Sequence, residues 1–347
     1  MSLIRGNNKI VKITRTVPAS TGWTRPFDWL PIPAIATGEE VIYLLCAIYN
    51  VIDGNFAAFK FRGAYTVDWG DGNIENVADN VKAEHSYAWG DVGDVTSEGY
   101  RQALIKVTPQ GGSNLTLVDL QEVYTGMPNA ESSLFVDMVL NIPNNTAQMI
   151  IGGGSSYHAR TQRVWIKEVG ILTNTVNLFN AMQSLVEIPL FDTSNVTSSA
   201  YMFTFCSALS TIPNFDFSSS TNVTYMFRDC NSLKSLTITV SSATSLAYIL
   251  YYCKRLLILN IVGAGNITTI PWTAFVNLID LRKFTFEGAK VSFSLAWSNL
   301  SAAEIDNLGN SVADLTALPS ATVTLTGNRT AGIDTTIWTN KNWTIVS

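Results

Sequence analysis

Thr197–Ser220 reads TSSAYMFTFCSALSTIPNFDFSSS, and Thr221–Ser242 reads TNVTYMFRDCNSLKSLTITVSS. Laid one under the other, these stretches decide the fold. Met202-Phe203 recurs as Met226-Phe227 and then as Ile249-Leu250, and Leu178-Phe179 stands at the same offset one copy earlier. Leu185, Leu209, Leu233 and Leu256 mark a second register, and Cys206, Cys230 and Cys253 a third. Ile188-Pro189 and Ile212-Pro213 follow the leucines at one fixed distance. The period is about 24 residues over 175–286, a spacing that belongs to stacked-repeat architectures. No single copy can bury its own apolar face, so copies must stack. The recurrence predicts one buried column of Phe203, Phe227 and Leu250 and another of Leu209, Leu233 and Leu256. Such stacks present surfaces, which argues for recognition or scaffolding before catalysis.

The run FDTSNVTSSAYMFTFCSALSTIP, Phe191 to Pro213, resembles the BspA-type leucine-rich repeats of bacterial surface proteins and some phage proteins. It carries their DTSNVT turn, aromatic-Met-Phe run, Cys-Ser-x-Leu step and Ile-Pro exit. The match is strong over Val176–Leu236, weaker in Ser242–Val262 and loose in Asn266–Phe286. The resemblance implies a right-handed solenoid with short strands and a short helical or turn segment per repeat. It implies adhesive or structural work and names no catalytic residue.

Working outward toward the N-terminus, residues 39–125 read as short strands joined by turns. Val41–Val51, Asn55–Arg62, Ala64–Trp69 and Ala103–Thr108 are the strands, and Gly70-Asp71-Gly72 after the alternating AYTVDW is a hairpin signal. Val67-Asp68-Trp69-Gly70-Asp71-Gly72, His85-Ser86-Tyr87 and the closing Ala103–Thr108 resemble the PKD-like immunoglobulin-type sandwich. In that family the Trp-Gly-Asp-Gly turn and the His-x-Tyr strand pack together. Trp89–Tyr100 reads as an insertion before the last strand. Residues 126–174, with strand-like Leu134–Ile142, Met149–Ile151 and Val164–Val169 and a Gly152–Ser156 loop, read as an N-terminal cap of the repeats. Residues 287–347 read as a C-terminal cap. There Ser301 and Glu304 form a capping box ahead of helical spacing at Ile305, Leu308, Val312 and Leu315, followed by strands Ala321–Leu325 and Trp343–Val346. The expected fold is therefore mainly β with short helices: a PKD-like sandwich, then a BspA-type solenoid with caps.

Residues 1–38 read as an arm, basic first (Arg5, Lys9, Lys12, Arg15) and then rich in Trp and Pro. Proline spacing favours extended backbone. Trp23, Pro26, Phe27 and Trp29 are the expected partner-binding residues, because large aromatics without a core of their own want a surface. Packing of the arm on its own second domain is the competing reading. If the arm docks elsewhere, a chain starting at Gly38 should stay folded.

Composition bounds the chemistry. The 347 residues carry 14% charged and 47% hydrophobic side chains with a net charge of −5. Two or three modules fit that length. No basic cluster provides a footprint for nucleic acid. The most apolar run, Val41–Ile52, is too short to span a bilayer. The first residues, MSLIRGNNKIVKITRTVP, lack a continuous apolar stretch, so no secretory signal is expected.

Few residues offer catalysis. Asp68, Asp71, His85 and Tyr87 form the one compact constellation. The two carboxylates could ligate calcium, or Asp71 could serve the turn's backbone amides. No Ser or Cys lies in a nucleophile-elbow context, Gly152-Gly153-Gly154 lacks the lysine of a phosphate cradle, and His85 and His158 are the only histidines. The cysteine ladder reads as buried free thiols without metal. Eight Asn-x-Ser/Thr sites, among them Asn195, Asn222 and Asn266, read as turn asparagines. No cofactor and no enzyme activity is expected.

The functional expectation is a structural or adhesive bacteriophage virion protein: a tail fibre, head fibre or decoration component, present in multiple copies. Residues 1–38 would bind other virion proteins, and the repeats would meet a host receptor. The alternatives are a bacterial cell-surface adhesin and a carbohydrate-binding accessory module.

Overall fold

The computed structural model describes residues 23–50, 55–126, 133–145, 148–152, 158–295, 298–325 and 331–346, and the backbone of 2–6 and 9–13. These residues are mainly β with few short helices, and no sheet closes into a barrel. Ser2–Gly6 and Lys9–Ile13 pair antiparallel.

Two sheets form the first half. One has six strands in the order Arg163–Val169, Phe135–Ile142, Val41–Ile48, Arg101–Pro109, Tyr65–Asp68, Ile74–Val77. The other has four, in the order Met149–Ile150, Leu117–Asp119, Phe56–Arg62, Lys82–Ser86. Tyr65–Asp68 alternates buried and half-buried, as a strand with one wet face should. Val41–Ile48 does not alternate: VIYLLCAI is buried at every position. The reason is that both of its faces are covered. Ile42, Leu44, Cys46 and Ile48 enter the main core, whereas Leu45 and Ala47 pack with Trp29, Tyr100 and Val136 on the opposite face. Val41 and Tyr43 pack there with Val139, and Ile32 and Ile35 lie against them.

That outer face corrects the expectation for residues 23–35 of the arm; residues 14–22, with the basic Arg15, lie outside the described residues. Residues 23–35 do not wait for a partner. Trp29 is 3% exposed within the chain's own core. Arg25 reaches the fully buried Asp137 at 2.8 Å, where Arg163 also grips both carboxylate oxygens at 2.7 Å. A tryptophan and a counter-charge of this kind are part of the second module's structure. Residues 51–54, the end of the first expected strand, lie outside the described residues.

Residues 126–174, expected as a cap, contribute both longer strands to the six-stranded sheet. Phe135–Ile142 pairs antiparallel with Val41–Ile48 and parallel with Arg163–Val169. The segment also leads into the repeats. Arg163 bridges Glu187 and Gln148 bridges Asn174, both parallel. Gly152 donates its amide to Leu178 at 2.7 Å, and a Cβ there would lie 2.5 Å from the Asn180 amide nitrogen. Residues 153–157, the rest of the glycine-serine run, lie outside the described residues.

From Asn174 onward, each copy lies parallel on the next. Bridges join Asn174 to Ser198, Ser198 to Asn222 and Ser245 to Thr269, and Ser235–Thr239, Ile258–Val262 and Lys283–Phe286 form a parallel sheet. Phe203, Phe227, Leu250, Leu209, Leu233 and Leu256 are all fully buried. The rings of Phe179, Phe203 and Phe227 stack at 5.4 and 5.3 Å. The chain closes with helix Ala302–Ser311, N-capped by Ser301 through the Glu304 amide, and with a parallel sheet of Phe293–Ser294, Ala321–Thr324 and Trp343–Val346. The helix ends at Ser311, yet Val312 and Leu315 beyond it stay buried.

Candidate recognition surface

The repeats adopt a left-handed backbone twice per copy, at residues that are not glycine. Positive φ occurs at Asn177 and Ala181, Tyr201 and Phe205, Tyr225 and Asp229, and Tyr248 and Tyr252, all between 55° and 67°. Such residues are strained unless something compensates. Here, at all of them but Tyr248, an amide hydrogen bond to the following copy compensates. Tyr201 donates to Thr224, Phe205 to Arg228, Tyr225 to Ala247, Asp229 to Tyr251 and Tyr252 to Val276, over 2.8–3.2 Å. The turn therefore aims these amides along the stack.

The same geometry throws the tyrosine side chains outward in register. Tyr201, Tyr225 and Tyr248 stack nearly parallel, with centroids 4.8 and 4.4 Å apart and planes within 10°. That spacing is the distance between neighbouring strands. Tyr251 and Tyr252 meet edge to face at 4.4 Å, and Tyr251 abuts Tyr248. The Arg228 guanidinium lies over Phe205, Tyr225 and Tyr251 at 5.1–5.7 Å and pairs with Asp229 at 3.0 Å. Lys254 lies over Tyr252. Burial first, and the Tyr248 hydroxyl second, push the Tyr225 phenol up. Tyr201 and Phe205 are 37% and 40% exposed. Sequence reading missed this stripe as a site, although a tyrosine precedes each of Met202, Met226 and Ile249.

The inner columns are inert by contrast. The Cys206, Cys230 and Cys253 thiols are free and buried, and each donates to a carbonyl of the preceding copy: Phe179, Phe203 and Phe227 at 3.1, 3.0 and 2.8 Å. Burial pushes all three thiols up, and Cys46 up to about 12. They serve the stack as hydrogen-bonded thiols.

The Asp68/Asp71 turn is likewise consumed by structure. Asp68 accepts the Gly70 amide at 3.0 Å. Asp71 accepts the Asn73 amide at 3.0 Å and faces His85 Nε2 at 2.7 Å. Burial pulls the Asp71 carboxyl up, but the Asn73 and His85 hydrogen bonds outweigh it and hold the group below its ordinary value. His85 stacks on Trp69, and Tyr87 donates to the Trp69 carbonyl at 2.9 Å. Among the described residues no three His, Cys, Asp or Glu side chains converge as metal ligands. The calcium expectation at Asp68 and Asp71 thus meets carboxylates already engaged in turn hydrogen bonds. His158, the other histidine, is buried between the Leu120 and Ser133 carbonyls.

The four expected partner-binding residues separate. Trp29 is core, Trp23 is half-buried with Nε1 directed at Gln162, Pro26 is half-buried, and Phe27 is 95% exposed. Among the described residues no helix is long and apolar enough to cross a membrane.

A family model described as "Mycoplasma protein of unknown function, DUF285" matches residues 160–257. This match fits a BspA-type repeat protein loosely. No curated protein and no solved structure matches the chain.

Proposed function

We propose that this chain is a non-enzymatic structural and adhesive protein of a bacteriophage particle, serving as a tail fibre, head fibre or decoration component. In this reading it is a PKD-like sandwich bearing a BspA-type leucine-rich repeat solenoid. The repeats recognise a host or subunit surface, and Phe27 docks the molecule. The observation that carries recognition is the outward ladder of Tyr201, Tyr225 and Tyr248, in which the Tyr201 and Tyr225 amides are fixed by hydrogen bonds to the following copy. A rigid row of aromatics gives contact area at small entropic cost. The ring faces cover one another, which favours a partner gripping hydroxyls and edges over a sugar stacked on open faces.

The match of residues 160–257 to a mycoplasma family favours a second reading, a bacterial cell-surface adhesin. Fractionation separates the two. Antibody against the chain should label purified particles, and triple replacement of Tyr201, Tyr225 and Tyr248 by serine should reduce particle adsorption at temperatures well below the variant's moderately lowered melting point. Recovery of the chain solely with the cell envelope would overturn the particle reading.

A further inference from the structure

We propose that two copies of this chain associate through Phe27, each ring entering an apolar recess on the other copy. The inference rests on the reading of Phe27 as a docking residue and assigns its partner.

Phe27 stands at the tip of a turn in which every neighbour is held. The Trp29 amide closes the turn on the Pro26 carbonyl at 3.2 Å. Arg25 donates to the Trp29 and Leu30 carbonyls, besides Asp137. Gln102 clamps both strands of the turn, donating to the Asp28 carbonyl and accepting the Leu30 amide, each at 2.8 Å. The Ser97 amide fixes the Asp28 carboxylate at 2.6 Å. A phenyl ring 95% exposed on so fixed a turn loses little freedom when it is captured.

A matching recess lies on the same chain. Ile32, Pro33, Ile35, Val139 and Trp165, together with Arg163 and Lys167, line a shallow, open recess of about 280 Å³. An enclosed cavity of roughly 150 Å³ takes benzene, so the recess is wide enough to seat one phenyl ring against its floor. Its charge complements the knob. Lys167 donates to the Ile35 carbonyl at 2.5 Å and pairs with no carboxylate among the described residues. Beside Phe27 stand Asp28 and, next to Ser97, the exposed Glu98. Phe27 and Ile32 are five residues apart in sequence, hence within about 18 Å of each other. A twofold axis between them forms both contacts at once, in the self-complementary manner of most dimers.

Sedimentation velocity on the full chain at micromolar concentration tests this. The wild type should dimerise, and added salt should weaken the dimer. Phe27→Ser should weaken association about tenfold or more, and its melting curve should match the wild type's at concentrations low enough that both are monomeric, because the ring supports no core. Ile35→Glu, which spoils the recess, should do the same. A monomeric wild type, or a dimer indifferent to Phe27→Ser, overturns the proposal. If the wild type is monomeric while Phe27→Ser still lowers incorporation into particles, docking survives with another protein's pocket as partner. If incorporation is also unchanged, the docking reading fails as well.

Discussion

Two single residues show how local chemistry fixes this molecule. Gly70 has φ +78°, and a Cβ there would lie 2.6 Å from the Leu104 carbonyl oxygen. Gly70→Ala therefore combines a left-handed backbone with a backbone clash. It should cost about 3 kcal/mol in denaturant unfolding, whereas Gly72→Ala, with open space at its Cβ, should cost less. His158 is the second case. Burial, opposed by hydrogen bonds to the Leu120 and Ser133 carbonyls, lowers its folded value to about 4 from 6.5. Folding thus favours the neutral ring. The stabilisation is full above about pH 6.5 and is lost progressively as pH falls toward 4, reaching roughly 3 kcal/mol. Melting temperature should fall across that window, and His158→Asn, which suits the same positive φ of 52°, should flatten the fall. An unaltered pH profile in the variant would remove His158 as the cause. The sequence offered Asp71 as a calcium ligand or as an acceptor for the turn's backbone amides, and the Asn73 amide is such a donor. It could not show that His85 would share the carboxylate.

At the scale of one repeat, the inner and outer columns should respond differently. Phe227 is fully buried between its stacked neighbours, and Phe227→Ala should cost about 3–5 kcal/mol. Tyr225, one copy-length from Tyr201 on the outside, should cost only about 1 kcal/mol when changed to serine. Chemical unfolding of the two variants measures the contrast, and equal losses would mean the tyrosine ladder is also core. The inner columns were legible in sequence because large apolar residues recurring at a fixed period must share one buried face. The left-handed turns were not. Tyr201, Phe205, Tyr225 and Asp229 occupy conformations usually signalled by glycine or asparagine, and the hydrogen bonds that compensate come from a copy some 24 residues away. The capped helix at Ala302–Ser311 was legible, since Ser301 and Glu304 act within one turn. Strand partners in 135–169 were not, because alternation identifies a strand and says nothing of its neighbour.

The whole molecule is tied together through elements that sequence reading divides. One apolar core runs from Ile42 through Phe179 and Phe227 to Trp343. Arg163–Val169 belongs to the six-stranded sheet and also bridges the repeats at Glu187. Residues 23–35 close the sheet's outer face, which is why VIYLLCAI could be apolar on both sides. A chain beginning at Gly38 would lose Trp29 from its pocket, uncover Leu45, Ala47 and Tyr43, and leave Asp137 with Arg163 alone. Loss of the tryptophan by itself is worth about 3–5 kcal/mol, and a buried carboxylate stripped of one cation adds to that. The chain from Gly38 should therefore melt well below a chain beginning at Gly22, which keeps Trp29 and Arg25. Equal melting temperatures would mean that the sheet's outer face tolerates water, and residues 23–35 would return to being a free docking arm. A large gap leaves Phe27, 95% exposed, as the aromatic of this turn that projects away from the fold.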